Sequence, residues 1–147
     1  MPDYYSQFES LHTARIEGRQ APHKAVLLLT IMDLVEDGTI TSPRFVLSRH
    51  LEETFCRLWN RYVGASKPFQ PRVATPFWHM KQEPFYSLHR YDGGDITELT
   101  NFYSVSNLRE KTYATIDEDL FRLMQKPDER AKLREILINT YLVVLHK

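Results

Sequence analysis

At 147 residues, 42% hydrophobic and 26% charged, the chain is sized and composed for one folded domain with its own core, which excludes intrinsic disorder. A formal net charge of zero argues against a surface that attracts polyanions on every side. No apolar run approaches the roughly 18 residues a membrane helix requires, so no membrane partner is expected.

The opening Met1-Pro2-Asp3-Tyr4 has neither the basic nor the apolar region of a signal peptide. The single cysteine, Cys56, can form no intrachain disulfide and sits among apolar positions that predict burial. Both features fit a cytoplasmic, reducing setting.

Along the chain, Tyr4, Tyr5, Phe8 and Leu11 recur at helical spacing and predict a short amphipathic helix over 3–14. A polar stretch from Thr13 to Gln20 follows, and Pro22 reads as a first-turn helix proline. The apolar run from Ala25 to Leu29 continues through Ile31, Leu34 and Val35 until Gly38, predicting the central core helix. Thr39-Ile40-Thr41 and Phe45-Val46-Leu47 flank Ser42-Pro43-Arg44, which predicts a small hairpin. Ser48 is placed to cap a helix carrying Leu51, Phe55, Leu58, Trp59 and Tyr62, ended by Gly64. Residues 64–75, with Pro68 and Pro71, read as a surface loop.

The aromatic block Pro76-Phe77-Trp78-His79-Met80 comes next, then Phe85-Tyr86-Ser87-Leu88, then an exposed excursion over 91–101. The last third reads as helical: Asp117 caps a helix through Met124, and Pro127 opens another. In that final helix Leu133, Ile136, Leu137, Thr140, Tyr141 and Val144 fall at core spacing. A single core is expected to include Leu28, Ile31, Trp59, Leu137 and Tyr141. The whole predicts a mostly α fold with a small β component, one compact helical domain over 1–147.

Charge is uneven along this order. Residues 38–91 carry eight Lys/Arg against three Asp/Glu, a local balance of +5. Such a stretch can meet a phosphate backbone locally, although chance surface composition explains the bias equally well.

Catalytic and cofactor signatures are missing: there is no Gly-rich phosphate loop, CxxC pair, HExxH or Gly-x-Ser-x-Gly. The histidines are scattered, and His79 and His89 read as unconnected. No cofactor, metal or catalytic residue is therefore expected, and the chain reads as a binding domain. Two constellations remain. Gly18-Arg19-Gln20-Ala21-Pro22-His23-Lys24 sets cationic and imidazole groups at a helix N-terminus, where free N–H groups favour an anion. Thr75-Pro76-Phe77-Trp78-His79 offers an apolar wall with a polar edge, with Pro76 and His79 one helical turn apart.

Taken in order, Pro22-His23-Lys24 entering a Leu-rich helix, the block from Pro76 to Met80, and Phe85 to Leu88 resemble the sulfur-binding domain of phosphorothioate-dependent, HNH-containing restriction endonucleases. Ser106-Asn107-Leu108-Arg109, Tyr113-Ala114 and Asp117 to Phe121 fit the same pattern, so the resemblance covers nearly the whole chain. It implies a mostly helical fold with a small β component that recognises duplex DNA carrying sulfur in place of a non-bridging phosphate oxygen. The family's His-Arg pair corresponds to His23 and Lys24, and its sulfur cavity to Thr75, Pro76 and His79. With Arg19, and with Arg109 as a looser match, His23 and Lys24 form the expected DNA-binding set.

This sequence departs from the family at several points. Thr75 and His79 replace an aromatic and a small apolar residue, and Lys24 replaces an arginine and its bidentate fork. An HNH nuclease domain is absent from these residues, so the chain reads either as a specificity domain whose partner in a full-length protein is an HNH nuclease or as a stand-alone relative. Two alternatives stand beside this reading. One is a DNA reader on the same fold without sulfur preference; the other is a protein-interaction module anchored by Trp78, Phe85 and Tyr86.

Overall fold

The computed structural model describes residues 2–65 and 69–146. A short first helix, α1 (Tyr4–Glu9), is capped by the Asp3 carboxylate, which accepts from the Ser6 N–H. It ends well before residue 14. The reason lies at the other end of the chain: the Tyr141 hydroxyl donates to the Phe8 carbonyl (2.6 Å) and accepts from the Leu11 N–H (2.9 Å), taking up groups at the helix's C-terminal end. The polar stretch that follows forms a two-residue hairpin, β1 (Arg15–Ile16) with β2 (Arg19–Gln20). Its turn is Glu17-Gly18, both at positive φ (55° and 76°), the geometry that matches strand twist in tight hairpins.

The next helix, α2 (His23–Glu36), is buried on nearly every side, so neighbours must cover its whole circumference. They are α3 (Arg49–Tyr62), α4 (Ala74–His79), α6 (Glu118–Gln125) and α7 (Pro127–Leu137). Thr30 sits in the middle of this apolar helix, and its hydroxyl is satisfied by donating to the Val26 carbonyl (2.8 Å). Ser48 caps α3 as expected, accepting from the Leu51 N–H. Cys56 is exposed rather than buried, because it lies one step round α3 from Phe55 and away from the core face. Of the expected loop over 64–75, residues 66–68 lie outside the described residues, and its end is already helical, since α4 begins at Ala74.

The expected hairpin over 39–47 does not form. Arg44–Phe45 (β3) pairs instead with β5 (Thr112–Ile116), which also pairs with β4 (Tyr86–Arg90), giving an antiparallel sheet in the order β3-β5-β4. A distant strand outcompetes the local turn signal, because pairing with β5 also buries Phe45 against Phe77 and Tyr86. β5 itself interrupts a region expected to be helical. It follows α5 (Val105–Lys111) directly, and its residues alternate between buried and half-buried. Asp117 precedes α6 but makes no side-chain cap; its carboxylate accepts from the Tyr4 hydroxyl (2.8 Å).

After α7 the helix widens into a π-type turn over Ile138–Leu142. The wider turn shifts the phase, so Leu142 and Leu145 are buried while Val144, expected in the core, is exposed. Leu28, Ile31, Trp59, Leu137 and Tyr141 do share one core. Trp78, Phe85 and Tyr86 are buried as well, so this trio offers no docking surface to a protein partner. Among the described residues, no helix is long and apolar enough to cross a membrane.

Because Leu28 is fully buried at the centre of α2, Leu28→Ala is expected to cost about 2–5 kcal/mol in urea unfolding. A loss below about 1 kcal/mol would show that the site collapses around the cavity and that α2 is not the packing centre.

Candidate functional site

The two constellations lie some fifty residues apart in sequence, and the fold brings them together around one cavity of about 470 Å³. His23 and Lys24 open α2 on one side. Thr75, Pro76 and His79 from α4, with Gln82 just beyond it, form the other. The segment before the hairpin contributes His12, Thr13 and Ala14, and Ala21 follows β2.

α4 presents its residues because of where the proline falls. Pro76 occupies the first turn, where its missing N–H leaves no helical bond unmade, and His79 lies one turn further along the same side. The pyrrolidine ring is buried in the wall, and Thr75 and His79 are half-buried beside it. At the start of α2 the first N–H to find a helical acceptor is that of Val26, which donates to the Pro22 carbonyl (3.0 Å). No side chain caps the groups before it, so the helix end keeps the partial positive charge that favours an anion.

Lys24 is not the free cation that the sequence suggests. It is buried, and its Nζ donates to Glu83 Oε2 (2.7 Å) and Gln82 Oε1 (3.1 Å). The Glu83 carboxylate is itself buried and accepts from the His12 backbone N–H (2.8 Å), while His12 Nδ1 lies 3.2 Å away. Two charges removed from water are tolerable only when paired and saturated with hydrogen bonds, and this arrangement supplies both. An ammonium has three donors, so Glu83 and Gln82 leave one.

His23 is held as closely. Its Nε2 donates to the Gln70 carbonyl (2.6 Å), and its ring lies 4.7 Å from that of Trp59 and edge-on to Phe69. Burial lowers the pKa of the imidazole, outweighing the Gln70 carbonyl, which favours the charged form. The pKa of His79 is likewise lowered, by burial first and then by Lys81 and Lys24; its Nε2 lies 2.8 Å from the Tyr103 hydroxyl. Both shifts favour the neutral ring, so neither imidazole adds a positive charge to the cavity at neutral pH.

Two of the expected DNA-binding residues lie outside the cavity lining. Arg19 is exposed on β2 of the adjoining hairpin, at the cavity's edge in sequence. Arg109, on α5, is engaged within the fold: Nε donates to the Leu47 carbonyl (2.7 Å) and a terminal nitrogen to Glu52 (2.8 Å). Sequence reasoning missed His12, Gln82, Glu83 and Tyr103. Glu83 alone carried a signal, as the one acidic residue between Glu53 and Asp92.

Glu83→Leu is expected to cost about 3–5 kcal/mol, because it strands the Lys24 ammonium without a counter-charge. Lys24→Met combined with Glu83→Leu should recover a large part of that loss, and urea unfolding of the single and double variants checks both. The lowered His23 pKa fixes a sign for pH dependence. Above 6.5, the ordinary imidazole value, the ring is neutral in folded and unfolded states alike and its contribution to stability is complete. As pH falls below that value the unfolded chain takes up the proton first, so stability is lost until the lowered folded value is passed. Thermal unfolding should therefore show a shallower pH slope in His23→Gln than in the parent, between about pH 7 and about pH 5. An identical slope would mean that the ring ionises equally in both states.

A search of curated proteins gave no match to this chain. A family model described as ScoMcrA-like, DNA sulfur-binding domain, matches residues 2–147. That match spans nearly the whole chain: the chain belongs to the ScoMcrA-like DNA sulfur-binding domain family, which implies recognition of phosphorothioate-modified DNA.

Proposed function

We propose that the cavity between α2 and α4 is where the sulfur atom sits, with Pro76 as its contact wall and Thr75 and His79 at its edge. The observation that carries this reading is the meeting of Thr75, Pro76 and His79 with His23 and Lys24 around one cavity. Sulfur is larger and softer than oxygen and a poorer hydrogen-bond acceptor. A proline ring offers no N–H, so sulfur loses little on leaving water there, whereas an ordinary phosphate oxygen sheds its hydration without replacement.

In this reading affinity and discrimination have separate sources. The uncapped end of α2, the remaining donor of Lys24 and the exposed cation of Arg19 hold the phosphate backbone. His23 serves as a neutral ring packed beside the cavity rather than as a charge. Arg109 acts as a brace between α5, Glu52 and Leu47 rather than as a phosphate ligand.

The domain binds without catalysing a reaction, and the duplex it marks is cut by a nuclease domain of the HNH type. Such a pairing would work in the cytoplasm, where the DNA is, and makes the domain the targeting element of a restriction system. Residues 1–147 constitute that single recognition unit.

Pro76→Asn is expected to move the ratio of modified to unmodified duplex affinity toward one, with little change for ordinary DNA. Arg19→Ala should do the reverse. It would weaken both duplexes alike and lower the salt dependence by about one unit of slope per lost phosphate contact. Fluorescence anisotropy with both duplexes at two salt concentrations, on variants whose fold is confirmed by circular dichroism, separates these effects. A parent protein that binds both duplexes equally would be a DNA reader without sulfur preference.

A further inference from the structure

Thr75 lines two cavities. Beside the one already described lies another of about 520 Å³, bounded by Thr75 together with Arg72, Val73, Ala74, Tyr103 and Val105. Its size suits a nucleotide fragment. Val73 and Ala74 are buried and give it an apolar floor, whereas Arg72 and Tyr103 are exposed at its mouth. Among the described residues, Arg72 has no carboxylate partner. Glu52 is the one carboxylate in the lining, and the guanidinium of Arg109 neutralises it at 2.8 Å. A phosphate entering here would meet an open cation and a compensated acid.

Tyr103 is 57% exposed yet fixed in place. Its ring meets Phe102 edge-on (4.6 Å between centroids), and Phe102 stacks on Trp78 (4.5 Å, 13° between planes). Its hydroxyl lies 2.8 Å from His79 Nε2, on the wall of the first cavity. An exposed aromatic ring held this firmly loses little freedom when a ligand covers it. The hydrogen bond also joins the two cavities across the ridge made by Thr75.

We propose that this second cavity seats the sugar–phosphate unit adjoining the sulfur-bearing phosphate on the same strand. Arg72 meets the neighbouring phosphate and Tyr103 covers the deoxyribose. The inference rests on the sulfur reading of the first cavity. It adds a sequence-independent contact whose loss weakens binding while leaving sulfur preference intact.

A chemical cycle tests it. Duplexes carrying one phosphorothioate are prepared with the phosphate on its 5′ or 3′ side either ordinary or replaced by an uncharged methylphosphonate. Each is titrated with the parent protein and with Arg72→Ala, a surface change that spares the core. One of the two replacements should weaken the parent roughly tenfold, the scale of one charge-assisted hydrogen bond. Arg72→Ala should show a similar loss on the ordinary-neighbour duplex and no further loss on that methylphosphonate. Its preference for sulfur over an unmodified duplex should equal the parent's. Losses that add at both neighbours, with sulfur preference retained, would overturn this inference and leave the first cavity's assignment standing. A parent without sulfur preference would overturn both.

Discussion

The ion pair between Lys24 and Glu83 holds the site together. Lys24 belongs to the first turn of α2, and Glu83 lies in the connection from α4 to β4, so the 2.7 Å contact ties the two walls of the cavity to each other. Both side chains are almost completely removed from water, where an unpaired charge of either sign would be strongly destabilising. The pair therefore specifies one arrangement of the walls. His12 extends the tie to a third wall, because its backbone N–H and ring both address the same carboxylate. A cavity whose selectivity depends on fit requires this kind of rigidity.

Around that tie the rest of the fold acts as a scaffold. α2 is enclosed by four other helices, and its N-terminal residues His23 and Lys24 line the cavity. Trp59 and Phe69 set the plane of His23, while the Gln70 carbonyl accepts a hydrogen bond from its Nε2. On the opposite wall, Trp78 and Phe102 stack and carry Tyr103 to His79. His12, His23, Lys24, His79 and Gln82 are thus each held by a partner. Burial shifts the imidazoles of His23 and His79 toward the neutral form, and the buried Lys24 ammonium is already balanced by Glu83. In the proposed reading, attraction for phosphate falls to the helix end, the remaining donor of Lys24 and the exposed Arg19, so that charge supplies affinity and the apolar wall supplies discrimination.

Much of this was legible in the sequence. The apolar run from Ala25 to Val35 could only be a covered helix, and Ser48 and Gly64 marked the limits of α3. The order of Pro22-His23-Lys24 and Pro76 to Met80 pointed to the residues that meet at the cavity, and to the family. These features are local: propensity, periodicity and capping are written in neighbouring residues. β5 was legible as well, since Thr112, Ala114 and Ile116 alternate toward the core, but five residues between two helices were read as more helix.

Other features had no local signature. Nothing near Arg44 names Thr115 as its partner, and nothing near Lys24 names Glu83, because such pairings depend on which chain segments the packed core places side by side. The fates of individual charges followed from the same cause. Lys24 reads as an open cation and becomes a buried strut, and Arg109 reads as a phosphate ligand and binds Glu52. The sequence by itself determined the helical core, the single apolar axis of α2 and the residue types that could build a sulfur-tolerant wall. Tertiary structure alone decided which of those residues share a cavity and which charges reach solvent, because burial and pairing arise from contacts between distant segments rather than from order along the chain.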